Sequence, residues 1–291
     1  MIVLENDGLR VQIKTLGAEL KEIFDKSKQK QILYQGNTPF WNRSAPVLFP
    51  IVGKLKNNQY TVGANMFEMG QHGFARDREF NLCEQGENYV RFSLSWDEVS
   101  KELYPFRFEL FIEYLLEEQG IRVKYAVENK DERPILFSIG AHPAFLCPIS
   151  AEEVFSDYQI RFPKDLHLKR HLLDQSSGLY SGETEEMDIP EGILELNEEL
   201  FEKDALVFKK LNSEQVFLER KDGSNSLRFD FPEFPYFAIW KKPGAPFICL
   251  EPWFGLADHQ SHEGKLEEKE GILHLEAGKS FSCEHQIHLV N

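Results

Sequence analysis

The chain has 291 residues and a formal net charge of −15, which argues against nucleic acid or an anionic membrane surface as a partner, since both demand a basic face. Hydrophobic residues make up 42% and charged residues 28%, the balance of a soluble globular protein with a sizeable core. The 24 phenylalanines far outnumber the 4 methionines and 4 tryptophans, and aromatic enrichment leans toward strands. Cys83, Cys147, Cys249 and Cys283 lie far apart with no CxxC pair, so neither a zinc site nor a disulfide scaffold is indicated. No basic-then-apolar leader follows Met1 and no apolar run reaches membrane-spanning length, so a reduced, cytoplasmic protein is expected.

In chain order, Leu9, Val11 and Ile13 alternate with polar residues, the period of a half-buried strand. Thr15 to Ala18 turns the chain, and Leu20 and Ile23 continue it as an extended piece. A polar loop at 26–30 precedes Ile32-Leu33-Tyr34. Arg43 then sits beside an apolar run, Val47 to Val52, that is flanked and interrupted by prolines. It either points into a cleft or is solvated. Tyr60 to Phe67 reads as another strand, with the Asn57-Asn58 and Gly63-Ala64-Asn65 turns around it.

Gly70-Gln71-His72-Gly73-Phe74-Ala75-Arg76 packs an amide, an imidazole and a guanidinium around glycine. Such a loop presents donors and acceptors in several directions, as a polyhydroxylated ligand requires, or it is an exposed polar turn. Val90 to Trp96, Phe106 to Tyr114 and Ile121 to Val127 each alternate cleanly, and Glu118-Gln119-Gly120 between the last two marks an antiparallel hairpin. Strands following strands without long helical periods favour a large antiparallel β structure over a βαβ fold.

The apolar run Ile135 to Ile139 ends in Gly140-Ala141-His142-Pro143-Ala144-Phe145. Glycine frees the backbone before the histidine and proline fixes it after. His142 is therefore either a general acid or base, suited by its near-neutral titration, or a core histidine bonded to a carbonyl. His167 and His171 are four apart, but Pro163 and the leucine alternation make strand or loop the better assignment, so metal binding is not expected. Asp204 precedes a strand and either turns the chain or contacts a ligand. Asp222-Gly223-Ser224-Asn225 is a turn, Leu227, Phe229 and Phe231 alternate, and Phe237 to Trp240 is a buried strand.

Glu251 interrupts the apolar run Phe247 to Phe254. A buried carboxylate is costly unless paired, so it is either functional or faces water on an edge strand, where Pro252 would be tolerated. Strands are expected again at 272–275 and 281–289, while His259, His262, His285 and His288 carry the spacing of surface residues. No repeat or linker interrupts the chain, and residues 1–291 are read as one domain.

Five stretches, taken in order, resemble the aldose 1-epimerase (galactose mutarotase) family, in particular its LacX-like branch. They are Leu16-Gly17-Ala18-Glu19-Leu20, Ala45 to Pro50, Gln71 to Arg76, Gly140 to Phe145 and Leu250-Glu251-Pro252-Trp253. The resemblance implies an all-β fold, a large antiparallel β-sandwich of the galactose mutarotase type (a supersandwich). It casts His142 as catalytic acid and Glu251 as catalytic base, with Gln71, His72, Arg76, Asp204 and Arg43 around the sugar, and it implies no metal or organic cofactor. Two departures stand out. Galactose mutarotases proper carry an Asn-Arg pair where this chain has Lys56-Asn57-Asn58, and a second glycine where it has Phe74.

Mutarotation removes the proton of the anomeric hydroxyl and protonates the ring oxygen, so that the C1–O5 bond opens and recloses in either configuration. A carboxylate and an imidazole on opposite sides of the sugar suit that task. The leading expectation is an isomerase acting at C1 of a free hexose. A hexose-6-phosphate 1-epimerase, using Arg43, Lys54 and Arg76 for the dianion, and a non-catalytic carbohydrate-binding protein are the alternatives. A cupin-type metal enzyme would need a His-x-His pair followed by Glu and His, which the sequence lacks. Oligomeric state is not legible from the chain.

Overall fold

The computed structural model describes residues 1–36, 39–224 and 226–290. Two large antiparallel sheets carry the architecture. In the nine-stranded sheet the Ser280–Val290 strand lies between Gly120–Asn129 and Ser226–Asp230, so the last strand of the chain knits early and late segments together. The hairpin of Phe108–Glu117 and Gly120–Asn129 turns through two residues, pairing Glu117 with Gly120. Buried and half-buried positions alternate strictly along Phe108–Glu117, as a sheet with one face in the core requires. The single α-helix among the described residues, Glu98–Leu103, is a short piece begun by Asp97, whose carboxylate accepts from the Ser100 N–H at 2.6 Å.

The eight-stranded sheet positions the site. Its Phe247–Phe254 strand is flanked on one side by Tyr236–Trp240 and on the other by two short strands, Ile139–Ala141 and Ala144–Leu146. Phe247 through Trp253 are buried, so Glu251 stands on an interior strand and not on a water-facing edge. Pro252 still pairs by position with Phe237. A four-stranded sheet, Ile2–Glu5, Leu9–Ile13, Leu20–Asp25 and Lys30–Gln31, completes the N-terminal part.

Several sequence expectations need correction. Residues 60–67 form two strands, Gln59–Val62 and Asn65–Glu68, because Gly63 takes a φ of 58° and reverses the chain. The 222–225 turn is described through Ser224 only, Asn225 lying outside the described residues. His285 is a core residue, 2% exposed, stacked on Tyr125 and on Phe229 at 5.8 and 5.2 Å. Its spacing resembled a surface position because the closing strand buries every second residue, odd-numbered along 283–289.

Burial pushes the His285 imidazole down to about 3. A group whose folded value is depressed contributes stability above its unfolded value, near 6.5, and loses it as pH falls toward the folded value. Replacing His285 with Phe is therefore expected to flatten the acid side of the stability curve. Between pH 6.5 and 4 the variant should lose about 1.4 kcal/mol less per pH unit than the parent, as measured by urea unfolding. The slope is the readout, since the larger ring also perturbs packing; an unchanged slope would contradict the buried, neutral imidazole.

Candidate active site

Register brings His142 and Glu251 together. Gly140 pairs with Trp253 and Ala144 with Cys249, and the residues left between them place His142 opposite Glu251. The Leu250 N–H donates to the Pro143 carbonyl at 3.2 Å, carrying the ladder past the interruption. His142 Nε2 consequently lies 3.1 Å from Glu251 Oε2, with side chains 9% and 1% exposed. The contact lacks hydrogen-bond geometry, and Oε2 has no other partner. Gly140 is needed here: a Cβ would come within 2.7 Å of the Trp253 ring.

The two groups stand side by side on one wall, where the sequence suggested opposite sides of a sugar. Burial, with the positive charges of Arg76 and Arg43 adding to it, pushes His142 down to about 3. Burial also raises Glu251 well above the ordinary carboxylate range; the charge of Asp204 adds to the rise and the Trp253 indole opposes it. Trp41 lies over the His142 ring at 4.7 Å, and Trp240 and His72 meet it edge-on at 5.6 and 5.7 Å.

The Gln71–Arg76 loop is held by backbone contacts that only its sequence permits. Gly73 has a φ of 69°, and a Cβ there would fall 2.2 Å from the Phe49 carbonyl oxygen. His72 also occupies the left-handed region, with φ of 66°, an uncommon state for a non-glycine residue that marks functional sites. Two hydrogen bonds hold it there. Its N–H donates to the Gly53 carbonyl at 2.9 Å, and the Gly53 N–H donates to its Nδ1 at 3.1 Å. With Nδ1 accepting, the ring proton belongs on Nε2, so the Gln71 side-chain amide 3.3 Å away has to turn its oxygen toward that N–H to accept it. Burial keeps this ring neutral, its pKa lying well below the usual value.

Arg76 donates to the Gln71 carbonyl at 2.6 Å, while its buried Nε makes no hydrogen bond and stands 3.9 Å from the Asp77 carboxylate. Burial and the neighbouring Arg43 lower it to about 10, still charged near neutral pH. Arg43 reaches Asp77 at 2.8 Å and lines the same cavity, with its side chain 20% exposed. Asp204, at φ of 70°, accepts from the Ala205 N–H at 2.7 Å and presents its carboxylate to the cavity.

All seven residues singled out from the sequence line one cavity of about 540 Å³, a size suited to a small ligand. Trp41, Trp240, Trp253 and Tyr180 supply aromatic walls, and Lys54 and Lys242 add cations. Two supporting residues escaped sequence reasoning. Buried Glu19 accepts from the N–H groups of Ser44 and Ala45 at 2.6 and 3.1 Å, fixing the segment that carries Arg43. Arg170, 4% exposed, donates to the carbonyls of Lys203, Asp204 and Ala205 at 2.9, 2.9 and 3.3 Å, clamping the turn that carries Asp204. The signal for Arg170 was a charge on the inward face of a strand, in phase with Leu168.

Comparison with known proteins places this cavity in a family. The family model described as aldose 1-epimerase matches residues 1–272. The chain is 36% identical over 283 residues to the plasmid-encoded Protein LacX of Lactococcus lactis subsp. lactis, covering 92% of both chains. Among solved structures, a galactose mutarotase-like protein from Lactobacillus casei ATCC 334 superposes with a TM-score of 0.91 at 32% identity, each chain covered in full. A galactose mutarotase related enzyme from Lactobacillus acidophilus gives 0.93 at 29% identity, covering 100% of this chain and 97% of that one. The fold is accordingly that of the galactose mutarotases, and the chain belongs to the aldose 1-epimerase family.

Proposed function

We propose that this protein is an aldose 1-epimerase that interconverts the α and β anomers of a free hexose by acid–base ring opening. The observation that carries the proposal is the buried imidazole–carboxylate contact of 3.1 Å between His142 and Glu251 in the cavity wall.

Burial favours a neutral imidazole beside a protonated carboxyl in the empty cavity. A bound sugar changes that balance. Its anomeric hydroxyl would donate to the unpartnered Glu251 oxygen, and a hydrogen bond to the charged form favours ionisation. Once the two side chains turn from their 3.1 Å contact into hydrogen-bond alignment, the Glu251 proton passes to His142, leaving a carboxylate base at O1 and an imidazolium acid at O5. Glu251 takes the O1 proton, the C1–O5 electron pair goes to O5 as His142 protonates it, and the C1–O1 bond becomes a carbonyl. Rotation about C1–C2 and the reverse transfers close the ring in either configuration. Atoms and electrons balance within the sugar and these two side chains. His72 Nε2–H, Gln71, Arg76, Asp204 and Arg43 would orient the hydroxyls, and the indoles would cover the apolar C–H faces of the ring.

A second reading, a hexose 6-phosphate as substrate, has one observation in its favour. Four cations, Arg43, Lys54, Arg76 and Lys242, line the cavity against two acids, and Lys54 has no ion-pair partner among the described residues. Polarimetry on freshly dissolved α-anomers, with and without a 6-phosphate, separates the two. The free hexose is expected to turn over at least as fast as its ester. A tenfold preference for the ester, abolished in Lys54→Met, would move the assignment to the phosphate.

Glu251→Gln preserves shape and removes the base, so it is expected to keep the fold and slow epimerisation at least ~100-fold, the scale of a positioned base. A rate equal to the parent's would remove Glu251 from the mechanism, and a parent rate no faster than buffer would make the protein a binder. The pH profile supplies a further check. Because His142 is depressed to about 3, the enzymatic rate should hold as pH falls from 7.5 to 5.5. It should decline on the alkaline side as the pair loses its shared proton. An acid limb centred near 6.5 would contradict the assigned state of His142.

A further inference from the structure

Cys249 precedes Glu251 by two residues on the Phe247–Phe254 strand, so both side chains leave the same face of the sheet. The cysteine is fully buried, packed with Tyr34, Ala144, Ala245 and Phe247 beneath the cavity wall. One ligand atom from each of His142, Cys249 and Glu251 lies within 4.8 Å of the others. The nitrogen–oxygen separation is already 3.1 Å. Tetrahedral zinc, with bonds of about 2.0–2.3 Å, holds its ligand atoms roughly 3.2–3.8 Å apart, so an adjustment of about an ångström at the sulfur closes the set. Independently, Glu251 Oε2 is buried at this point without a hydrogen-bond partner.

We infer that His142, Cys249 and Glu251 form a binding site for zinc or a similar borderline divalent cation, with the fourth coordination position open to the cavity. Thiolate, imidazole and carboxylate together select zinc-like ions over magnesium or calcium, which take oxygen donors. On binding, the Cys249 thiol and the Glu251 carboxyl release their protons to water as Zn–S and Zn–O bonds form, and His142 Nε2 donates its lone pair. No atom changes oxidation state. The two anionic ligands balance the dication, so the metal removes the penalty of a buried carboxylate. It also occupies the atoms that would move protons, so zinc should arrest catalysis. Binding itself does not depend on the proposed reaction; only the inhibition does.

The test uses the full chain carrying Cys83→Ser, which removes the exposed thiol. Titration with Co²⁺ is expected to give a cobalt–thiolate charge-transfer band that saturates at one equivalent and is displaced by Zn²⁺. Adding Cys249→Ser should abolish the band and weaken zinc binding at least 100-fold. Absence of the band, or zinc affinity unchanged by Cys249→Ser, would overturn the site. Should Cys249→Ser fail to fold, Glu251→Gln serves in its place, and zinc affinity unchanged by that variant is equally fatal. In the parent, zinc should suppress epimerisation and a chelator restore it. Zinc binding in a protein without turnover would sink the proposed reaction and leave the metal site standing.

Discussion

Everything at the candidate site depends on one stretch of strand pairing. Two short strands, Ile139–Ala141 and Ala144–Leu146, share the neighbour Phe247–Phe254 in a common antiparallel register. At the break between them His142 stands opposite Glu251, and the Leu250 N–H bond to the Pro143 carbonyl carries the pairing across. A slip of one residue along Phe247–Phe254 would turn Glu251 and Trp253 away from the cavity together, since side chains alternate between faces with a period of two. The register is held by burial on both flanks, as Phe247 to Trp253 are buried without exception. The geometry of the site and the packing of the core are thus the same constraint.

The electrostatics follow from that placement. In water an imidazole and a carboxylate would ionise as a pair; under indole rings and out of solvent, the neutral pair is the cheaper state. The cationic pair Arg43 and Arg76 further disfavours a charged His142, while Asp204 further disfavours a charged Glu251. In the proposed reaction this neutral pair supplies the one proton that a sugar hydroxyl would redistribute. That arrangement needs rigid neighbours, which Glu19 and Arg170 provide by binding backbone groups of the segments bearing Arg43 and Asp204. Neither supporting residue needs to touch a ligand.

The net charge of −15 and the cations of the cavity are compatible because they occupy different places. Acidic residues dominate the exposed surface, while Arg43 and Arg76 are partly shielded at the cavity wall, their side chains 20% and 18% exposed. A whole-chain charge therefore says little about the local field at the mouth, where Lys54 and Lys242 add to it. The same separation of scales applies to the cysteines. Spacing along the chain gave no metal motif, yet a strand places Cys249 beside a histidine more than a hundred residues earlier.

What the chain determined by itself were the local patterns: period-two alternation in Phe108 to Tyr114 and Ile121 to Val127, the two-residue reversal at 118–119, and glycine and proline around His142. These suffice for an antiparallel β fold because alternation is written in neighbouring residues. Motif resemblance added the seven site residues, and they share one cavity. Two local readings need correction for different reasons. Residues 60–67 read as one strand with turns around it, but the Gly63 turn falls inside the segment and makes it a hairpin, whereas His285 resembles a surface residue until its strand is placed in the middle of a sheet. Only the tertiary structure decided that His142 and Glu251 touch from one wall, that Arg170 clamps the Asp204 turn, and that Cys249 joins the cluster. Each is a pairing between segments far apart in sequence, set by strand register and packing, which no window of the chain contains.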